Sequence, residues 1–144
     1  MFSDADWASN KVDRKSMSGS MLFLNGCPVN WISKRQITVA LSSTESEVYA
    51  MSVACTDVLH LWSLIRPLAA PSLPINLYCD NQGAQCIAET GTNSTRSKWF
   101  DTRVHFLQDW HNTKAIKYHY IHTSLNVADA LTKSLGEHKL TALD

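Results

Sequence analysis

The longest regular pattern in the chain runs from Ser43 to Arg66. Val48, Met51, Cys55, Val58, Trp62 and Ile65 recur at alternating steps of three and four, and Ala54 and Leu61 widen the stripe. That spacing predicts an amphipathic helix with one core-facing side, ended by Pro67 and Pro71. Upstream, the period shortens to two. Phe2 to Trp7 reads as a short strand, Ser9 to Ser16 as a polar turn, Gly19 to Leu24 as a strand and Pro28 to Ser33 as its return. Lys34 to Val39 continues that return or bulges at Gln36. Asn25-Gly26 between the two strands is a two-residue hairpin signal, because both residues tolerate positive φ.

Downstream, Ile75, Leu77 and Cys79 share one face of a strand, and Asn81 to Glu89 reads as a short helix closed by Gly91. Asn93 to Lys98 is loop-like. Trp99 to Trp110 reads as a helix with Val104, Leu107 and Trp110 inward, and Ala115 to Ile121 as a strand. Leu125 to Leu135 reads as a last helix, with Leu125, Ala128, Thr132 and Leu135 on one stripe and Gly136 ending it. The order β-β-β-α-β-α-α-β-α predicts an α/β fold: a mixed five-stranded sheet with helices packed on its faces, in a single domain over residues 1–144. In such sheets chemistry collects where strands end and helices begin.

Composition adds bounds. The chain has 144 residues, 44% of them hydrophobic and 18% charged, which excludes wholesale disorder. Thirteen basic residues balance thirteen acidic ones, so no global field announces a nucleic-acid partner. Cys27, Cys55, Cys79 and Cys86 form no C-x-x-C pair and read as reduced, mostly buried thiols of an intracellular protein. The first residues carry no signal-peptide pattern. Asp57 and His60 interrupt the most apolar stretch, Val48 to Ile65, so no membrane span is expected.

Four carboxylates sit uncomfortably in a purely structural account. Asp4 falls in or beside the first strand, where Asp is disfavoured. Glu47 shares a helix face with Met51, Ala54 and Val58 and so points toward the sheet, whereas Glu45 points to solvent. Asp80 directly follows the strand Ile75 to Cys79, and Asp129 borders the apolar stripe of the last helix. Each has a plain alternative. Asp4 would blunt an edge strand, Thr44 and Glu47 would form a T-x-x-E capping box, Asp80 would cap the helix after it, and Asn126 with Asp129 would start the last helix. A metal site explains all four at once, because hard divalent cations take oxygen ligands and two such ions can clamp a reacting phosphodiester. Four carboxylates packed together would also titrate as a coupled set, with pKa values raised when no metal is bound.

These residues lie in a recognisable series of motifs. Ser3-Asp4-Ala5-Asp6-Trp7-Ala8, Ser18-Gly19, Leu41-Ser42-Ser43-Thr44-Glu45-Ser46-Glu47, Tyr78-Cys79-Asp80-Asn81-Gln82, Arg96 to Phe106, and Asn126-Val127-Ala128-Asp129-Ala130-Leu131-Thr132-Lys133 follow one another in order. Together they resemble the ribonuclease H domain of Ty1/copia-type LTR retrotransposon polyproteins, over nearly the whole chain. The resemblance implies an RNase H-like fold and cleavage of the RNA strand of RNA–DNA hybrids during reverse transcription, with two Mg²⁺ or Mn²⁺ ions. It maps the acidic set onto Asp4, Glu47, Asp80 and Asp129. Alternation along the strand leaves Asp4 and Asp6 equivalent, and only the motif favours Asp4. The resemblance also implies that Asp4 bridges both ions and that Asp129 is the looser ligand. It places Ser43, Thr44 and Gln82 where related enzymes touch the minor groove of the hybrid. An adjacent reverse transcriptase domain is the implied partner, and the implied setting is intracellular: cytoplasm, virus-like particle or nucleus.

The pattern is not uniform. Only three residues precede Asp4, which puts the pairing of the first strand in question. His122 precedes Asp129 closely and reads either as a proton-transfer aid or as a polar strand-end residue, while His119 and His122 point to opposite strand faces. Lys11/Arg14/Lys15, Lys34/Arg35 and Arg96/Lys98/Arg103 are the basic clusters; the last, with Trp99, either tracks a phosphate backbone or is solvated surface around a core Trp99. Two competing functions remain. One is a domesticated, catalytically weak binding module on the same fold. The other is an integrase-type nuclease, disfavoured because its Glu would come last.

Overall fold

The hairpin forms where Asn25-Gly26 places it. In the computed structural model, which describes residues 1–67, 72–91 and 98–133, β1 (Phe2–Asp6), β2 (Met17–Leu24) and β3 (Cys27–Arg35) make an antiparallel meander. Asn25 and Gly26 adopt φ 51° and 81°, the pair of positive values that a tight hairpin turn matching the sheet's twist requires. β2 begins at Met17 rather than Gly19, and β3 stops at Arg35. Gln36 turns the chain inward there: its backbone N–H donates to the Ser16 carbonyl (2.8 Å), and its side-chain amide donates to Ser18 Oγ and the Ser46 carbonyl (2.9 Å each).

α1 (Ser43–Ile65) buries its predicted stripe of Val48, Met51, Cys55 and Val58. β4 (Ile75–Cys79), α2 (Gln82–Thr90), α3 (Lys98–Asn112) and β5 (Ile116–Tyr120) follow. The sheet order is β3-β2-β1-β4-β5, with β1–β4 and β4–β5 parallel. Leu77, Cys79, Ile116 and Tyr118 of the sheet meet Val48, Met51, Cys55, Val104 and Leu107 of the helices in one core. α1 is long and apolar enough to cross a membrane, yet its apolar stripe is part of this core.

β1 is therefore the central strand. It pairs with β2 along its whole length and with β4 at Phe2–Tyr78, which answers the question raised by its short lead-in. The edge-strand account of Asp4 fails for the same reason.

Four expectations need correction. The last helix is not α-helical among the described residues: Thr123–Leu125 and Val127–Leu131 form two short 3-10 turns. Asn126 separates them, with its side-chain oxygen capping Ala128 N (3.2 Å) and its amide donating to the Ser3 carbonyl (2.9 Å), so side-chain bonds replace helical ones. Leu125 is consequently 64% exposed rather than inward. Only Cys55 and Cys79 are buried, with thiols pushed up to about 12 by desolvation, while Cys27 and Cys86 are exposed. Trp99 is 72% exposed, so it is not a core residue. Pro71, Leu135, Gly136 and nearly all of the Asn93–Lys98 loop lie outside the described residues; Lys98 itself opens α3.

Gly19 explains how the turn at 127–131 lies so close to the sheet. A Cβ there would stand 2.8 Å from the Ala128 carbonyl oxygen and Thr132 Cγ2, and 3.0 Å from Leu131 Cβ. Backbone cannot yield as a flexible side chain can. Gly19→Ala is expected to destabilise the fold by about 2–3 kcal/mol, read as a lower urea midpoint at unchanged m-value.

Candidate active site

The candidate site is assembled from the middle of the central strand, the start of α1 and the end of β4. Asp4 is paired across the sheet with Gly19 and is 2% exposed. Glu47 lies in the second turn of α1 and is 5% exposed; its Oε1 accepts from Ala5 N (3.1 Å), which fastens the helix to β1. Asp80 follows the last residue of β4 and is half-buried. One carboxylate oxygen from each of the three lies within 4.8 Å of the others. Asp6 stands outside this triad and is less buried than Asp4, so burial separates two residues that alternation leaves equivalent.

The capping accounts of these acids also fail. α1 is capped by Ser42, whose Oγ accepts from Glu45 N (3.1 Å), and Glu45 reaches back to Leu41 N (3.0 Å). The capping box is thus Ser42/Glu45, which leaves Glu47 no capping role. Asn81, not Asp80, caps α2, accepting from Ala84 N at 2.9 Å.

Asp129 is 2% exposed and stands apart from the triad. Its Oδ1 lies 2.5 Å from Lys133 Nζ, four residues on. Thr132, adjacent to Lys133, donates its hydroxyl to Asp4 Oδ2. Asn126 ties the same turn to Ser3. Asp129 thus reaches the neighbourhood of β1 through a turn pinned to it on both sides.

The electrostatics follow from burial. Desolvation first, and then the fields of Asp4 and Asp80, push the Glu47 carboxyl up to about 9. Asp4 is also raised, chiefly by desolvation and further by Asp80 and Asp129, against the opposing hydrogen bond from Thr132 and the charge of Lys133. Desolvation would lower Lys133, but the hydrogen bond to Asp129 and the fields of Asp4, Asp129 and Asp6 outweigh it and hold the ammonium above the ordinary lysine value. Glu47 Oε2 is buried with no hydrogen-bond partner among the described residues. A buried, unpartnered oxygen on a carboxylate that converges with two others is a poor structural element and a good hard-cation ligand. The donor set therefore fits a divalent ion.

Ser43 and Thr44 open α1, and Gln82 opens α2. A Cβ at Gly83 would be 3.5 Å from Thr44 Cγ2 and Oγ1, so the two helix starts adjoin. Ser43 and Gln82 are exposed and Thr44 is half-buried. His122 caps the first 3-10 turn through Ser124, and His119 bonds Asn76 (3.0 Å) and stacks on Tyr78. Arg35 pairs with Asp13 (3.2 Å), and Arg103 lies over Tyr49 (3.8 Å) and donates to Ser52 Oγ (2.6 Å), while Lys34 and Lys98 of the same clusters are exposed. Arg96 lies outside the described residues. Sequence reasoning missed Thr132 and Lys133 as neighbours of the acids; the one available signal was a hydroxyl and an ammonium placed three and four residues beyond Asp129.

No protein-family profile matches the chain. A retrovirus-related Pol polyprotein from transposon RE1 of Arabidopsis thaliana is 33% identical over 94% of this chain. One from transposon TNT 1-94 of Nicotiana tabacum is 31% identical over 96%. The chain spans only 9% and 10% of their respective lengths. Among solved structures, LC11-RNase H1 in complex with an RNA/DNA hybrid superposes with a TM-score of 0.67, at 12% identity, over 99% of this chain and 97% of that one. The chain is homologous to retrovirus-related Pol polyproteins of copia-type transposons and has the ribonuclease H fold.

Proposed function

We propose that this chain is a metal-dependent ribonuclease H that hydrolyses the RNA strand of RNA–DNA hybrids. The observation that carries the reading is the convergence of the Asp4, Glu47 and Asp80 carboxylates within 4.8 Å, with Glu47 Oε2 buried and unpartnered among the described residues. Homology to Pol polyproteins supports it, as does a like-folded protein crystallised with such a hybrid.

In this reading Asp4, Glu47, Asp80 and Asp129 hold Mg²⁺ or Mn²⁺, two ions in all. Bound ions supply charge stabilisation for the attacking water and the leaving oxygen. The chain's own part is positional. Ala5 N orients Glu47, Thr132 orients Asp4, and the central strand holds both still. Ser43, Thr44 and Gln82, at adjoining helix starts, contact the hybrid's minor groove, where a 2′-OH distinguishes RNA from DNA. The adjacent domain of the parent polypeptide is a reverse transcriptase, and the protein works inside the cell, away from membranes, as one domain over residues 1–144.

The test is cleavage of an end-labelled RNA–DNA hybrid with Mg²⁺ or Mn²⁺, with an RNA–RNA duplex and EDTA as controls. Hybrid-specific, EDTA-sensitive cutting is expected. A well-folded protein that binds hybrid without cutting it, in either metal, would replace this reading with the binding module.

A further inference from the structure

Among the described residues, Lys133 brings a positive charge to the edge of the acidic set. Its Nζ lies 2.5 Å from Asp129 Oδ1, and its field reaches Asp4 and Glu47 as well. Asp129 is therefore committed to an ammonium at the place where a metal ion would take it. The two partners differ in freedom. Asp129 is 2% exposed and held in a turn pinned to β1, whereas the Lys133 side chain is 39% exposed on a flexible stem. The aspartate is fixed and the lysine can swing away.

We propose that Lys133 is an internal counter-cation that competes with a metal ion for Asp129. This inference rests on the metal-site reading above. An ion bound by Asp4, Glu47 and Asp80 does not need Lys133 to leave. An ion that uses Asp129 does, so Lys133 weakens that second ion selectively. Asp129 is thereby kept paired until substrate phosphate arrives, which supplies further oxygen ligands to the ion and an alternative partner for the ammonium.

The experiment is calorimetric titration of the folded, EDTA-stripped protein with Mn²⁺, without substrate. Wild type, Lys133→Gln, Lys133→Arg, Asp129→Asn and the Lys133→Gln/Asp129→Asn double variant are compared, each checked for folding by its thermal midpoint. Lys133→Gln is expected to tighten the weaker Mn²⁺ event by about tenfold, the effect of removing one unit charge from close range. The tighter event should move less, and Lys133→Arg should behave as wild type. Asp129→Asn should remove the weaker event and abolish the gain from Lys133→Gln, because the two effects then share one partner. Equal affinities in wild type and Lys133→Gln, with both events present, would overturn the competition while leaving the metal site intact. A gain that persists in the double variant would assign Lys133 a general field effect and overturn its pairing role. No saturable Mn²⁺ binding by any folded variant would overturn the metal-site reading and this inference with it.

Discussion

Asp80→Ala is expected to lower hybrid cleavage by about a thousandfold or more while leaving the protein folded. The size follows from the role proposed for Asp80. Losing one ligand of an ion that stabilises the attacking and leaving oxygens forfeits several kcal/mol of transition-state stabilisation, and about 4 kcal/mol corresponds to a thousandfold in rate. Structural integrity follows from its surroundings. Asp80 is half-buried, makes no side-chain hydrogen bond to another described residue and does not cap α2, a role held by Asn81. Its charge acts unfavourably on Asp4 and Glu47. Removing it should leave the thermal midpoint of the metal-free protein unchanged or slightly higher. Cleavage and circular dichroism of the same preparation check both halves. Retained cleavage would remove Asp80 from the site, and collapse of the fold would mean that its role is structural.

Much of this site is legible in the chain because periodicity reports which way a side chain points. The steps from Glu47 to Met51, Ala54 and Val58 place Glu47 inward before any contact is known. What periodicity cannot do is choose between overlapping local motifs. Ser42-x-x-Glu45 and Thr44-x-x-Glu47 are both capping boxes on paper, and the choice is made by β1, whose Ala5 N–H takes Glu47 and leaves Glu45 to cap. Alternation likewise cannot separate Asp4 from Asp6, because strand neighbours two apart share a face. Burial at the middle of the central strand does. The last segment has the pattern of an α-helix but forms 3-10 turns, for a related reason. Leu125, Ala128 and Thr132 have helical spacing, but the backbone there answers to a bond between Asn126 and Ser3, 123 residues away, that no local pattern encodes. Lys133 does not stand out as a partner in the sequence, because an i,i+4 Asp–Lys pair on a surface helix is ordinary. It becomes notable only when the aspartate is buried.

The second large effect is a stability profile opposite in slope to that of a protein held by ionised carboxylates. The Glu47 carboxyl titrates at about 9 in the folded protein against 4.5 for an ordinary glutamate, chiefly through desolvation. Below pH 4.5 both states carry the proton and the folded protein incurs no penalty from this group. Above it the unfolded chain releases the proton while the native state keeps it, so native molecules bind more protons and stability falls as pH rises. The fall continues to about pH 9, where the folded state also ionises. Asp4 is shifted in the same direction and adds to the trend. For a chain of this size a loss of about 3 kcal/mol corresponds to a drop of about 10 °C in the thermal midpoint of EDTA-treated protein between pH 5 and pH 8.5. Glu47→Gln keeps an acceptor for Ala5 N but cannot ionise, so its midpoint should fall less over the same range and exceed that of wild type at pH 8.5. Saturating Mg²⁺ should restore wild type by mass action, because the ion binds only ionised ligands brought together by folding, and should do little for Glu47→Gln. A metal-free wild-type profile parallel to that of Glu47→Gln would show that Glu47 is ionised at neutral pH and that its burial is compensated by some other charge.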